Sequence, residues 1–242
     1  MLLYMPSLAI IIPCYNEEVR LKRVSIEKLV EGLDDATLIF VNDGSRDNTL
    51  AVLSDLAAQF PDRISIISFQ KNEGKAKAIA KGVRQVIDTR SFVYIGYMDA
   101  DFSTPVAEFI KLYTIIREQR ASFVFGSRIK KLNSGINRKA FRHIAGRVIS
   151  TLIDLHFKLG IYDTQCGAKI FSSEVVSAVF DSPFYCNWLF DVEIFIRLKK
   201  KGLLSGGIEQ PLQGWKDIGG SKISLKTLPA ICGELFTLAR RY

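Results

Sequence analysis

Short apolar runs alternate along the first half of the chain with longer segments in which apolar residues recur at helical spacing. The runs predict buried strands at 8–12, 37–41, 64–69, 92–98 and 122–126. The segments between them predict helices over about 17–33, 49–60 and 76–87, and after Pro105. Uninterrupted apolar strands separated by amphipathic helices are typical of a parallel sheet covered on both faces. The pattern therefore predicts an α/β fold.

The second half of the chain is less regular, and helices are predicted over about 140–159, 173–180 and 190–201. In the helix predicted over about 17–33, in the first half of the chain, we expect four residues to face the core: Val19, Val24, Val30 and Leu33. In the last segment one predicted apolar face carries Leu225, Leu228, Cys232, Leu235 and Ala239. Because no linker, repeat or low-complexity segment interrupts the chain, we expect a single domain over 1–242.

Polar clusters follow the first four predicted strands. In order they are "PCYNEE" (13–18), "NDGSRDNT" (42–49), "QKNEGK" (70–75) and "MDAD" (98–101). Parallel strands present their carboxyl ends at one edge of the sheet, where α/β proteins bind ligands. Four such clusters in sequence order therefore predict a binding site at that edge.

The net charge of the chain is +8, which favours an anionic partner such as nucleic acid, phosphate or a membrane surface. A hydrophobic fraction of 48% is ordinary for a globular protein. The four cysteines lie far apart without a CxxC pair, which argues against a disulfide framework or a zinc site. Since no apolar run approaches about 18 residues and no basic segment precedes the first strand, we expect a cytoplasmic protein.

Two familiar phosphate-binding loops are excluded. No GxGxxG follows the first strand, which argues against a dinucleotide site. "NEGKA" resembles the end of a P-loop, but Phe69 stands where the earlier glycine belongs and Ala76 replaces the Ser or Thr. An ATPase or kinase activity therefore loses its main support.

Asp99 and Asp101 lie one residue apart at the end of an apolar strand, where two like charges are costly without a cation. One interpretation makes them turn and capping residues before the helix that Pro105 begins. The other makes them ligands of a hard divalent cation, which prefers carboxylate oxygens.

Eight segments in order resemble family 2 glycosyltransferases of the GT-A fold, which has a Rossmann-like, mostly parallel sheet. They are "IIIPCYNEE", "VNDGSRDNT", "NEGKAKAIAKG", "MDADFSTP", "GSR", "DTQCGAKIF", "FDVEIFI" and "GSKIS". The last four resemble the branch that contains dolichyl-phosphate glucosyltransferases and mannose synthases. The resemblance implies an inverting, metal-dependent transfer of a hexose from a nucleotide sugar to a polyprenyl phosphate. For the dolichyl-phosphate glucosyltransferases, the hexose is glucose and the donor is a nucleotide sugar such as UDP-glucose. It also implies a donor-binding half over about 1–127 and an acceptor-binding half over about 128–242.

The resemblance assigns roles to individual residues. For a bound Mg²⁺ or Mn²⁺ it implies Asp101 as the more direct ligand, Asp99 at the metal or ribose, and Ser103 where mannose synthases carry Gln. The implied donor-binding residues are Pro13, Tyr15, Glu17, Val41, Asp43, Lys75, Asp99, Ala100, Asp101 and Lys222. Asp43 accepts from the uracil in this scheme, although a turn role for Asp43 stays open.

For the acceptor phosphate the resemblance implies Arg128 and Arg142, whose planar forks suit an anion. A lipid phosphate attacks without a general base, so Asp191 then positions the substrate. If the acceptor is a sugar hydroxyl of a polysaccharide, Asp191 or Asp163 becomes the candidate base. A third possibility is a GT-A module that binds anionic polymers without activity.

Residues 128–147 carry seven Lys or Arg and no Asp or Glu. The segment contains little aromatic interleaving and no nucleic-acid-binding signature, so we expect no nucleic-acid partner. We expect instead that its basic residues, together with the apolar face of 225–239, contact a membrane peripherally at the cytoplasmic face.

Overall fold

The computed structural model describes residues 7–89, 92–132, 134–137, 140–218 and 227–242. Within these ranges no helix has both the length and the apolar content needed to cross a bilayer.

The elements alternate as the apolar pattern predicts. The strands are β1 (Leu8–Cys14), β2 (Ala36–Asn42), β3 (Ile64–Ser68), β4 (Tyr94–Met98), β5 (Phe123–Ser127), β6 (Gly135–Asn137), β7 (Ala168–Ser172), β8 (Gly207–Pro211) and β9 (Gly214–Lys216). The helices are α1 (Arg23–Gly32), α2 (Thr49–Gln59), α3 (Lys75–Thr89), α4 (Val106–Glu118), α5 (Ala140–Phe157), α6 (Ser173–Val179), α7 (Phe190–Lys200) and α8 (Leu228–Arg241).

The main sheet is mostly parallel, with the order β3-β2-β1-β4-β7-β5-β8. β1 lies between β2 and β4 and pairs in parallel with both. The chain therefore changes direction across the sheet between β1 and β4, and such switch points form ligand-binding crevices in α/β folds. β7 pairs antiparallel with β4 and with β5, an insertion that the sequence analysis did not predict. A small second sheet joins β6 and β9.

Helices cover both faces of the sheet, which confirms the predicted fold class. Ala9 and Ile11 of β1 pack in one hydrophobic cluster, together with residues of α3, α5, α6, α7 and α8. Leu8, Ile10 and Ile12 pack in a second cluster, together with residues of α1, α2 and α4. The alternation follows from the two-residue period of a strand.

The first helix begins later than predicted, at Arg23 rather than Glu17. The backbone N–H of Glu17 donates to Thr49 Oγ1 at 2.8 Å, and that of Glu18 donates to Asp47 Oδ2 at 3.2 Å. These bonds hold the segment in turns against the loop after β2. As a result the expected inward positions Val19 and Val24 are wrong, since they are 94% and 60% exposed.

α8 packs on the start of α7, and the side chains that it buries differ from those predicted. Ile231 and Leu238 are buried, whereas the predicted inward residue Cys232 is exposed. Glu234 sets this packing, because its carboxylate accepts the backbone N–H groups of 187–189 at 2.8–3.2 Å. A carboxylate at a helix N-terminus satisfies donors that have no partner within the helix.

We predict that Glu234→Ala lowers the free energy of unfolding by about 1.5–3 kcal/mol, the range for hydrogen bonds to a charged group. The physical reason is that the N–H groups before α7 lose their charged acceptor. Urea unfolding followed by circular dichroism measures the change. The matched control is Glu31→Ala at an exposed position of α1, and equal losses in the two variants would contradict the capping role.

Candidate active site

The loops after β1 and β2 are tied to each other at the predicted edge of the sheet. Asn16 has a left-handed φ of 54°, which asparagine tolerates better than most residues. Its backbone N–H donates to Ser45 Oγ at 3.0 Å, and its Oδ1 accepts from the backbone N–H of Arg46 at 2.8 Å. The two loops therefore form one wall of a common site.

Asp43 organises the third loop. The side chain is 2% exposed, and its carboxylate accepts from Asn72 Nδ2 at 2.9 Å and from the N–H groups of Glu73 and Gly74 at 2.8 Å. These bonds hold the loop that leads into Lys75, the first residue of α3. Asp43 therefore has the turn role that the sequence analysis left open. Its contact with a nucleotide base stays a prediction.

Four other predicted donor-site residues lie along the first two strands and the loop after β1. Pro13 of β1 pairs with Val41 of β2, and Val41 is fully buried while Pro13 and Tyr15 are partly exposed. Glu17 is also partly exposed and its Oε1 accepts from Arg20 Nη2 at 2.6 Å. Arg20 therefore fixes the Glu17 carboxylate beside the loop.

The loop after β4 turns sharply at the acidic pair. The backbone N–H of Phe102 donates to Asp99 O at 3.2 Å, and Phe102 has a φ of 53°. A positive φ is strained for a bulky residue, and such strain is typical of functional sites. The backbone N–H of Ser103 donates to Asp101 Oδ1 at 2.9 Å. Ser103 therefore orients Asp101, whereas metal ligation by Ser103 stays a prediction.

Charge is concentrated around Asp99. Lys75 Nζ lies 2.6 Å from Asp99 Oδ1. Burial lowers the pKa of Lys75, but the negative charge of Asp99, with further contributions from Asp191 and Asp101, outweighs burial and raises the pKa. Burial and then the charge of Asp99 raise the pKa of Asp101 above its ordinary value. The site therefore favours additional positive charge next to Asp101.

The acidic pair fits a divalent cation that shares its ligands with a substrate. In the described part of the chain no group of three or more His, Cys, Asp or Glu side chains is placed to hold a metal. Among the described carboxylates, those of Asp101 and Asp99 would bind a cation here, and Mg²⁺ typically takes one or two carboxylates plus substrate phosphates. The raised pKa of Asp101 and the partial exposure of both carboxylates agree with this donor set.

β7 forms the other wall of the site. The backbone N–H of Asp99 donates to Gly167 O at 3.0 Å, and a Cβ at Gly167 would overlap the Asp99 carboxylate. Two residues later, Lys169 is 0% exposed. Its Nζ donates to Cys166 O and to Asp191 Oδ1, both at 2.6 Å.

Asp191 is held from a second side, since Tyr97 OH also donates to its Oδ1. Asp191 is 4% exposed at the start of α7. An ammonium and a phenol thus hold one oxygen of this carboxylate in the protein interior. Asp191 therefore links β4, β7 and α7 rather than standing free at the surface.

Arg128 binds a carboxylate of its own chain. Its Nε and Nη2 donate to Asp163 Oδ2 and Oδ1 at 2.7 and 2.8 Å, and its guanidinium lies 5.4 Å from the centroid of the Trp215 ring. Burial lowers the pKa of Arg128, but Asp163 outweighs burial and raises it. Arg142, the other residue predicted for the acceptor phosphate, lies on α5 with an undescribed side chain. Lys222, predicted for the donor, lies outside the described residues.

Three residues of the site were missed in the sequence: Gly167, Lys169 and Trp215. A usable signal existed for Lys169, because a lysine inside the apolar run "AKIF" at 168–171 indicates either an exposed strand face or a buried ion pair. Gly167 lies in the segment "DTQCGAKIF" that carries the resemblance, but its contact with Asp99, like that of Trp215 with Arg128, depends on a partner distant in the sequence.

The chain is similar to known glycosyltransferases in sequence and in fold. The family model described as Glycosyl transferase family 2 matches residues 9–180. A dolichyl-phosphate beta-glucosyltransferase of Trichomonas vaginalis is 29% identical over 244 residues, which covers 96% of this chain and 72% of that protein. The human dolichyl-phosphate beta-glucosyltransferase is 29% identical over 232 residues, which covers 90% of this chain and 69% of that protein.

A similar fold occurs in glucosyl-3-phosphoglycerate synthase from Mycobacterium tuberculosis, solved in complex with Mn²⁺, uridine diphosphate and phosphoglyceric acid. The TM-score is 0.70 at 18% sequence identity, and the match covers 98% of this chain and 78% of that one. At this identity the likeness concerns the fold.

We predict that Gly167→Ala weakens Mn²⁺-dependent binding of uridine diphosphate by about tenfold or more, the cost of one charge-assisted contact. The added methyl group would displace the Asp99 carboxylate from Lys75 and from the metal site. Isothermal titration calorimetry measures the affinity. The control is Gly233→Ala in α8, where an added Cβ meets nothing within 4 Å. Unchanged affinity in a folded Gly167→Ala protein would contradict the role given to Asp99.

Proposed function

The chain belongs to glycosyl transferase family 2, and we propose that it transfers glucose from UDP-glucose to a polyprenyl phosphate with inversion at the anomeric carbon. The observation that carries the proposal is the acidic pair Asp99–Asp101, with Lys75 at 2.6 Å from Asp99, at the switch point of the sheet. Relatives named dolichyl-phosphate beta-glucosyltransferase over most of the chain support the choice of sugar and acceptor.

The donor diphosphate would lie over the loop after β4 and the start of α3. There the N-terminus of α3 and the Lys75 ammonium favour negative charge. Mg²⁺ or Mn²⁺ bound at Asp99 and Asp101 would neutralise the leaving diphosphate as a Lewis acid. Asp99 and Asp101 would hold the metal ion, and the loop held by Asp43 orients Lys75. The use of a divalent metal by this chain is part of the proposal.

The acceptor phosphate oxygen would attack the anomeric carbon as the bond to the diphosphate oxygen breaks, and uridine diphosphate leaves. A phosphate is already anionic and needs no proton removed. This agrees with Asp191, whose Oδ1 is engaged by Lys169 and Tyr97 and which is poorly placed to serve as a base. Arg128 would present the Nη1 side of its fork to the phosphate while Asp163 holds the other side.

The polyprenyl chain of such an acceptor lies in a bilayer, so the proposal includes peripheral contact with a membrane, at its cytoplasmic face. The basic segment 128–147 supports this contact, because juxtamembrane Lys and Arg contribute about 1 kcal/mol each at an anionic surface.

We predict that Asp101→Asn slows glucose transfer by roughly 100-fold or more, the scale for loss of one electrostatic stabiliser. The variant also weakens binding of uridine diphosphate in Mg²⁺ or Mn²⁺, because an anionic ligand is lost. Radiolabelled transfer from UDP-glucose to a polyprenyl phosphate measures the rate. The control is Asp55→Asn at an exposed position of α2. Near-normal turnover in Asp101→Asn would exclude the proposed metal site.

We predict that Arg128→Ala and Arg128→Lys slow transfer to lipid phosphate by roughly tenfold or more while donor binding stays unchanged. The lysine variant keeps the charge near Asp163 but loses the fork, which separates phosphate recognition from stability. The control is Arg84→Lys at an exposed position of α3. Full lipid transfer in both Arg128 variants, with transfer to a sugar hydroxyl, would favour the polysaccharide alternative.

A further inference from the structure

α5 exposes an apolar stripe to solvent. Val148, Leu152 and Leu155 are 55%, 50% and 70% exposed, and their spacing of four and three residues puts them on one side of the helix. The opposite side packs in the core through Ile153, which is 2% exposed. The helix therefore carries apolar side chains on both its inner and its outer face.

The charged residues that immediately precede the stripe in the chain are all cationic. The stripe directly follows the segment 128–147, whose seven ionised side chains are all Lys or Arg, and both Lys130 and Lys131 are exposed. Within α5 beyond Arg147 the acidic side chain is Asp154, which accepts from the backbone N–H of Gly160 at 2.7 Å. A cationic segment next to an apolar helical face is the combination found in helices that lie in a membrane interface.

α5 is fastened at its middle and at its C-terminal end, so the stripe has a defined place beside the proposed acceptor site. Arg147 Nη1 donates to Tyr162 O at 3.0 Å, and Tyr162 precedes Asp163, the partner of Arg128. At the C-terminal end of α5, Lys199 Nζ of α7 donates to the carbonyl groups of Phe157 and Lys158 at 2.7 and 2.8 Å. The stripe thus begins next to the Arg128–Asp163 pair and leads away from it.

We propose that the α5 stripe, formed by Val148, Leu152 and Leu155, is the surface on which the protein docks into an anionic lipid bilayer. The stripe enters the boundary between headgroups and acyl chains, while the basic segment contacts the headgroups. This inference rests on the proposed function, because it explains how a lipid phosphate reaches Arg128 with its tail still in the bilayer.

A bilayer suits this surface better than a second copy of the chain. A symmetric dimer would place the same patch, with the basic residues that precede it in the chain, on both sides of the contact. Like-charge contacts of this kind oppose association. The same cations are attracted to anionic lipid, so charge and apolar exposure favour one occupant.

The docking surface also differs from the one expected in the sequence. The described apolar side chains of α8 pack inward at Ile231 and Leu238, and Glu234 fastens α8 to the start of α7. Phe236 of α8 is exposed as a single aromatic residue. The stripe on α5 is therefore the better candidate for insertion.

The test compares two triple variants of the full chain in sedimentation with sucrose-loaded vesicles. The stripe variant is Val148→Ser/Leu152→Ser/Leu155→Ser. The matched control is Val19→Ser/Val24→Ser/Val93→Ser, whose valines are 94%, 60% and 55% exposed elsewhere. The vesicles contain phosphatidylglycerol and phosphatidylcholine, or phosphatidylcholine alone.

We predict that the wild type binds the anionic vesicles at low salt and that the stripe variant binds them about tenfold more weakly or worse. The control binds as the wild type does, and binding of all proteins falls as salt rises. Equal binding of the stripe variant and the wild type would overturn the proposal. So would a wild-type dimer in analytical ultracentrifugation that the stripe substitutions dissociate, because the stripe would then join two copies.

Three further measurements separate this inference from the proposed function. Binding of uridine diphosphate with Mn²⁺, and transfer to a short water-soluble isoprenyl phosphate, stay unchanged in the stripe variant, whereas transfer to long-chain polyprenyl phosphate in vesicles falls. Loss of the short-chain reaction in the stripe variant would overturn the docking role. If the wild type binds vesicles through the stripe but glucosylates neither phosphate, the proposed function fails and the docking surface stands.

Discussion

The negative charge of Asp99 at the end of β4 is the constraint around which the site is built. Its carboxylate lies against Gly167, its backbone N–H bonds to Gly167 O, and Lys75 lies 2.6 Å from its Oδ1. Burial and, as the second cause, the charge of Asp99 raise the pKa of Asp101 above its ordinary value. These contacts come from the residue before β7 and from the start of α3, so the second wall and α3 converge on one carboxylate. The loop of the first wall that Asp43 holds leads into Lys75 and so bears on Asp99 through that lysine.

The antiparallel strand β7 makes this convergence possible. It lies between β4 and β5, and it brings Gly167 beside Asp99 and Lys169 beside Asp191. Removing one member of a buried ion pair leaves an uncompensated charge and costs about 3–5 kcal/mol. The pair Lys169–Asp191, with a fully buried lysine, therefore fixes β7 to α7. The geometry of the second wall depends on that attachment.

The sequence predicted the parts of the fold that local patterns determine. The strands β1 to β5 and the loops that follow the first four are periodic and bounded by polar clusters, so their shared edge could be inferred. β7 is short and pairs with strands more than forty residues away in the chain, which no local pattern reveals. Val19 faces solvent because loop contacts of Glu17 and Glu18 override its helical spacing. Arg128 was predicted from a motif, but its partner Asp163 required the structure.

The two lysines near the acidic loop, Lys75 and Lys169, differ in solvent exposure. Exposure decides how costly it is for each lysine to exchange its carboxylate partner. The side chains of Lys75 and Asp99 are 37% and 39% exposed, and an ion pair of that exposure contributes about 0–1 kcal/mol. A diphosphate or a divalent cation can therefore replace either partner at small cost. Lys169 is 0% exposed, and leaving it without Asp191 would be several times more costly. Lys75 is thus suited to pass from Asp99 to the diphosphate of the proposed donor, while Lys169 would stay in place and hold the wall beside that exchange.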